Sequence, residues 1–229
     1  VRNSKRVLKK QNLLFEIFPS LTDEDIDILK RNSLFINYKI HENIIKQDEK
    51  IEYIIFLIEG YAKIWHDEAN QHELLAIISA QDQLLLSLLV AETKSPVNVR
   101  AISGCEAMML QADVFVETCK RNGAFAHEVF YVAHHSFKSF YKNRSLKFFK
   151  KNMHARFAQI LVNLSQNTYK SQTFNITLRR DELAQLVGVS RENVIKVITD
   201  LRKDKVIEVT GKHFKILKFD ELIKIANIG

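Results

Sequence analysis

Cysteine is scarce: the 229-residue chain has two, Cys105 and Cys119, set among apolar residues and without C-x-x-C spacing. That excludes a disulfide scaffold and argues against an iron–sulfur cluster or a structural zinc site, so both are expected to be reduced packing residues. No stretch approaches the roughly 18 to 20 uninterrupted apolar residues a membrane helix requires. The basic start (Arg2, Lys5, Arg6, Lys9, Lys10) is not followed by the apolar core and small-residue cleavage site of a signal peptide. The expectation is a soluble cytoplasmic protein with no membrane partner. Also missing are G-x-S-x-G, a phosphate-binding glycine loop, H-E-x-x-H and paired carboxylates in a recognisable setting. The chain therefore reads as a non-enzyme with no catalytic residues and no metal site. No internal repeat or low-complexity segment is present, and 46% hydrophobic with 27% charged residues is ordinary globular composition, enough for one large domain or two modest ones.

What is present is an uneven charge. The net charge is +7, but residues 1–149 hold 19 Lys and Arg against 19 Asp and Glu, while residues 150–229 hold 15 against 8. All of the excess lies in the last 80 residues. Clustered cations release counterions from a phosphate backbone, so a basic module beside a neutral one is the footprint of a nucleic-acid-binding domain attached to a non-binding one. A lysine-rich solvated surface is the bland alternative.

The order of patterns divides the chain in three. Residues 1–123 begin with a short helical lead-in, for which Thr22 is a good N-cap and Asp23, Glu24 and Asp25 fill the first turn. Seven short β-branched or aromatic runs follow at about ten-residue spacing (34–38, 43–45, 53–58, 62–65, 73–78, 97–102, 106–110), which predicts an antiparallel roll or sandwich with a turn at Gly60. Asp113 can cap a short helix ending near Cys119. Residues 124–151 contain no Pro or Gly and are long enough for one helix of seven or more turns. Phe125, Val129, Val132, Ser136, Ser139, Asn143 and Leu146 follow a three–four spacing, a heptad seam for dimerisation. Phe130, Phe137, Tyr141 and Phe148 form a second stripe. Two apolar faces imply two partners, the chain's own β-domain and the same helix of a second copy. In residues 152–229, an amphipathic helix at 154–164 precedes a strand at 175–178, helices at 180–187 and 191–203, and two short strands at 207–209 and 214–217 joined across Gly211.

The segment from Arg180 to Leu201 has helix-turn-helix spacing. Ala184 is small where two helices cross, and Gly188 suits a left-handed turn. Val189, Val194, Val197 and Leu201 fill the interior. Ser190 can cap the second helix, whose exposed start then presents Arg191, Glu192 and Asn193, with Lys196 one turn on, to base edges. Arg can bond guanine O6 and N7, and Glu can accept from cytosine N4. Arg180, Ser190, Lys212, His213 and Lys215 are available to the DNA backbone, where they set affinity rather than sequence choice.

In this order the parts resemble the CRP/FNR superfamily of bacterial transcription regulators. The matching segments are Ile55-Phe-Leu-Ile-Glu-Gly60-Tyr-Ala-Lys-Ile, Val99-Arg100-Ala101 with Cys105-Glu106, Ala155-Arg156-Phe-Ala-Gln159-Ile-Leu-Val-Asn163-Leu, and Val187-Gly-Val-Ser190-Arg-Glu-Asn-Val194. The resemblance implies an α+β chain. Its parts would be an N-terminal cyclic-nucleotide-binding-like β-roll (a jelly roll), a long dimerisation helix and a C-terminal winged helix-turn-helix. It implies a homodimer on double-stranded DNA with an inverted-repeat site, and contact with RNA polymerase if it activates. Lys196 stands where cyclic-AMP-responsive members carry Arg, and lacks the bidentate fork.

Cyclic-nucleotide members of that family carry a Gly-Glu pair for the ribose and an Arg-Ser pair for the phosphate. Here the stretch is Asp82-Gln-Leu-Leu-Leu-Ser87, and the later pair falls near Ser95-Pro96. Without carboxylate and guanidinium the implied effector is not cyclic AMP but an unidentified small molecule, less polar than a nucleotide. By resemblance its pocket would be lined by Leu84, Leu85, Leu86, Ser87, Tyr141 and Lys142. Several glycines common at the family's roll turns are replaced, with His41, Asp48 and Gln81 near those places. No cofactor is called for; haem on His127, His134 or His135 would make the chain a gas sensor of the same fold. A roll fused to a helical adaptor that does not bind DNA is the competing class.

Overall fold

The computed structural model describes residues 16–69, 71–79, 93–149 and 152–228, with backbone alone at 71, 139 and 142–149. Two compact units emerge: Val1–Ala62 with Ala80–Ser139, and Lys63–Ser79 with Phe140–Gly229. The expected boundaries near 123 and 151 follow element order. Contact instead groups residues 63–79 with the C-terminal ones.

In the first unit, α1 (Asp23–Arg31) starts at a capping box. Thr22 Oγ1 accepts from the Asp25 amide and Asp25 Oδ2 accepts from the Thr22 amide, each at 3.2 Å, so two donors that a helix start leaves open are satisfied. The strands that follow are β1 (Ser33–Tyr38), β2 (Asn43–Ile45), β3 (Tyr53–Glu59), β4 (Tyr61–Glu68), β5 (Gln71–Ser79), β6 (Asn98–Ala101) and β7 (Cys105–Gln111), of which β5 and most of β4 group with the second unit. They form two sheets, ordered β1-β7-β3 and β2-β6-β4-β5. In the first, β7 runs antiparallel to both neighbours, with Met108 opposite Phe35 and Phe56. Gly60 turns β3 into β4 at φ 92°, and a Cβ there would lie 2.2 Å from the Gly104 carbonyl oxygen. His41 and Asp48 occupy left-handed turns at φ 74° and 65°, a conformation that costs a residue with a Cβ roughly 1 kcal/mol. Gln81 lies outside the described residues.

Helix α2 (Ala112–Arg121) begins one residue ahead of the expected cap: Asp113 lies in the first turn, its carboxylate accepting from the Val114 amide at 2.9 Å. It leads through Asn122 into α3 (Gly123–Phe149). Four phenylalanines from different elements close this core. Phe18 meets Phe125 edge-on at 5.2 Å, Phe125 meets Phe115 at 5.3 Å, and Phe56 lies 6.3 Å from Phe18. Each such pair contributes about 0.5–1.5 kcal/mol beyond its buried area. Cys105 is buried and Cys119 half-buried, both as free thiols; burial raises both pKa values, that of Cys119 to about 11.

The second unit contains α4 (Met153–Asn163), a π-helical turn (Leu164–Thr168), β8 (Thr173–Asn175), α5 (Arg180–Val187), α6 (Arg191–Lys203), β9 (Ile207–Thr210), β10 (His213–Ile216) and α7 (Phe219–Ala226). Its sheet is ordered β8-β10-β9. Strand β8 lies before the expected 175–178. Only Thr173 to Asn175 pair with β10, and Ile176 and Leu178, 0% and 2% exposed, plug the core as the chain enters α5. Beyond one further bond, from the Ile176 amide to the Lys212 carbonyl at 2.9 Å, their alternation mimics a strand that the sheet does not continue. Helix α7 was not anticipated in the sequence; it buries Leu222 and Ala226 and packs on α4.

Candidate nucleic-acid interface

The helix-turn-helix is built by local signals. Gly188 ends α5 at φ 72°, and the Gly188 and Val189 amides both donate to the Ala184 carbonyl, at 2.8 and 3.1 Å. Ala184 is 4% exposed, so a larger side chain would force the helices apart. Ser190 Oγ then accepts from the Asn193 amide at 3.3 Å and caps α6. Val194, Val197, Ile198 and Leu201 face the interior, which leaves Arg191, Glu192, Asn193, Ile195, Lys196 and Thr199 exposed. The structure therefore brings the four expected base-reading residues onto one exposed ridge. The Glu192 carboxyl sits below its ordinary range because its own backbone amide and the Ser190 hydroxyl stabilise the anion. At neutral pH it is an acceptor only.

The expected backbone contacts lie at the start of α5, at the cap of α6 and around the β9–β10 turn. Gly211 turns β9 into β10 at φ 59°, and Lys212, His213 and Lys215 are exposed around it. His213 Nδ1 lies 3.0 Å from Asn175 Oδ1. Arg180 Nη2 donates to the Gly211 carbonyl at 2.7 Å, and the guanidinium stands 5.3 Å over the Phe214 ring. Burial lowers the Arg180 pKa from its ordinary value. One side chain thus ties the start of α5 to the wing.

Four supporting contacts had no signal in the spacing, because the partners are far apart in sequence. Arg156 Nη1 on α4 donates to the Gly188 carbonyl at 3.1 Å, and His154 Nε2 lies 3.0 Å from Asp200 Oδ2 of α6. Lys63 of β4 pairs with Glu182 of α5, their side chains 20% and 12% exposed, while the Leu74 amide of β5 donates to Gln185 Oε1 at 3.0 Å. Burial pushes the Glu182 carboxyl up, but the Lys63 ammonium and the Arg179 amide outweigh it and hold it below the ordinary value.

The long helix α3 departs from the expected seam. Phe125 and Val129 are 0% and 5% exposed inside the first unit's own core, so they offer no surface to a second copy. Val132 and Ser136 are half-exposed; the side chains of Ser139, Asn143 and Leu146 lie outside the described residues. The second stripe is the open one: Phe130, Phe137 and Tyr141 are 71%, 56% and 61% exposed. His127, His134 and His135 are exposed, and the last two stack on Phe130 and Tyr131, one turn back.

Of the expected effector pocket, Leu84, Leu85, Leu86 and Ser87 lie outside the described residues, as does the Lys142 side chain. A cavity of about 160 Å³ lies elsewhere in the first unit, between Ile44, Ile45, Ile51, Ile55, Ser95 and Met109. Among the described residues no three His, Cys, Asp or Glu side chains converge as metal ligands, and no helix is long and apolar enough to cross a membrane.

Two family models match the chain. Residues 35–122 match the cyclic nucleotide-binding domain family and residues 155–225 the Crp-like helix-turn-helix domain family. The chain is 29% identical over 84 residues to the fumarate and nitrate reduction regulatory protein of Vibrio cholerae, a match covering 35% of this chain and 34% of that protein, so it spans about a third of the curated relative's length. In fold it is similar to FixK2 from Bradyrhizobium japonicum, with a TM-score of 0.76 at 13% identity over 86% of this chain and 98% of that one. A putative transcriptional regulator of the Crp/Fnr family from Eubacterium rectale gives a TM-score of 0.72 at 12% identity, over 93% and 98% of the two chains. With a cyclic-nucleotide-binding-like domain followed by a Crp-like helix-turn-helix in one chain, the protein belongs to the CRP/FNR superfamily.

Proposed function

We propose that this chain is a sequence-specific DNA-binding transcription regulator, acting in the cytoplasm as a homodimer on an inverted repeat. The observation that carries the reading is the capped, exposed start of α6, where Arg191, Glu192, Asn193 and Lys196 share one ridge beside the basic wing of Lys212 and Lys215. A helix of this kind enters the major groove with its N-terminal residues against base edges. Arg191 and Glu192 are the sequence readers, and Arg180, Ser190, Lys212 and Lys215 hold the phosphates.

The dimer forms along α3 through the exposed stripe of Phe130, Phe137 and Tyr141, spaced seven and four residues apart as a heptad seam requires. Two-fold symmetry would set the recognition helices about 34 Å apart, one turn of DNA. The effector is a small molecule other than cyclic AMP, since the sequence lacks the carboxylate and guanidinium for ribose and phosphate. Bound better by one dimer arrangement, it shifts the population toward that arrangement. RNA polymerase is a partner if the regulator activates.

Enrichment of duplexes from a random pool by the full chain tests this reading. The expected product is an inverted repeat with half-sites one helical turn apart, bound with strongly salt-dependent affinity. Binding that is absent, or indifferent to salt, would favour the non-DNA interaction module instead. Titration with cyclic AMP is expected to give no micromolar binding that tightens DNA affinity.

A further inference from the structure

The exposed ridge of α6 carries one side chain that hydrogen-bond chemistry leaves unexplained. Ile195 is 46% exposed, and among the described residues of α5 and α6 it is the large apolar side chain left in solvent. It follows Arg191 by four residues and Glu192 by three, which places it one turn further along the same face. The next residue on that face, Thr199, spends its hydroxyl on the helix itself, donating to the Ile195 carbonyl at 2.8 Å.

A single exposed apolar residue is ordinary on most surfaces. This surface is the one that the proposed function lays against base edges. There thymine presents its C5 methyl, whereas other base edges present donors and acceptors that an isoleucine would strip of water without replacing. Branching at Cβ also leaves Ile few rotamers, so the contact orders little that is not already ordered. Resting on that function, we infer that Ile195 is a specificity-determining residue that reads a thymine C5 methyl in each half-site, beside the bases read by Arg191 and Glu192.

The test begins with the enriched duplex. Each thymine of a half-site is replaced in turn by deoxyuridine, which removes the methyl and nothing else. At one thymine per half-site the wild-type affinity is expected to fall about fourfold, the factor equivalent to roughly 0.8 kcal/mol for one buried methyl-sized group. Ile195→Ala is expected to bind the thymine and uracil duplexes equally, and Ile195→Val, which keeps the branch, to retain the preference. The side chain is exposed, so both variants should keep the wild-type circular dichroism spectrum. Uracil costing all three proteins alike, or costing the wild type nothing at any position, overturns the inference and leaves the proposed function standing. Failure to enrich any site overturns both.

Discussion

A guanidinium aimed at a base and an ammonium resting on a phosphate contribute to affinity in different ways, and replacing each should leave a different signature. Arg191→Ala is expected to cost about 1–3 kcal/mol at the specific site and much less on random duplex, because it removes a bidentate contact that only one base offers. Lys212→Ala should weaken all sequences alike and reduce the slope of log K against log salt by about one. Binding titrations at several salt concentrations on both duplexes separate the two; equal losses on specific and random DNA for both variants would show that the division into reader and anchor is wrong. Arg180 belongs to neither class alone. Held by the Gly211 carbonyl and the Phe214 ring, it presents its remaining donors from a fixed position, so its loss would disturb the wing as well as a phosphate contact.

At the scale of elements, the most concentrated electrostatics joins α1 to the α2–α3 corner. Asp25 is 3% exposed. It accepts from Arg121 Nη2 at 2.6 Å and from Asn122 Nδ2 at 2.9 Å, besides capping its own helix. Burial pushes its pKa up, but Asn122, Arg121 and Thr22 outweigh burial and bring it from 3.8 down to about 2. The folded value lies below the unfolded one, so this stabilisation is present above about pH 4 and is lost as pH falls toward 2. Arg121 is half exposed, which screens its share, and about 1–2 kcal/mol remains. Urea unfolding should therefore show Asp25→Asn less stable than wild type at pH 7, with the gap closing by about pH 2; a gap constant with pH would mean the carboxylate's charge is not what holds the corner. The corner was only half legible in the sequence: Thr22 and its acids announce a helix start, but nothing in spacing brings Arg121, 96 residues away, to Asp25. The same rule separates what was readable elsewhere. Helices α5 and α6 match their expected limits because Gly188 and Ser190 act on their own neighbours. Phe125 fits a seam by spacing yet lies in the core, because periodicity reports that a face is apolar, not which apolar surface covers it. Strand β8 lies earlier than its pattern predicts because buried residues in a loop can alternate as strand residues do.

For the whole molecule the open question of partnership falls on α3, where Phe130 and Phe137 stand 71% and 56% exposed while the expected seam residues Phe125 and Val129 are already covered. If that stripe is the dimer contact, Phe130→Asp with Phe137→Asp should give a monomer by light scattering at micromolar concentration, and specific DNA affinity should fall because two half-sites no longer bind as one unit. A double variant that remains dimeric would move the interface elsewhere. The pairing of Lys63 with Glu182 bears on how such a protein can be studied in pieces. The residues proposed to contact DNA all lie after position 179, which invites expression of a fragment from Asn152 onward. Such a fragment would lack Lys63 and the Leu74 amide, leaving the Glu182 carboxylate at the first turn of α5 with the longer Arg179 ion pair (3.8 Å) but without its close ammonium partner, and Gln185 without its donor. That negative charge would then lie in the same motif as Arg180 and the recognition helix, repelling the phosphates they attract, so affinities measured on the isolated fragment would understate those of the intact chain.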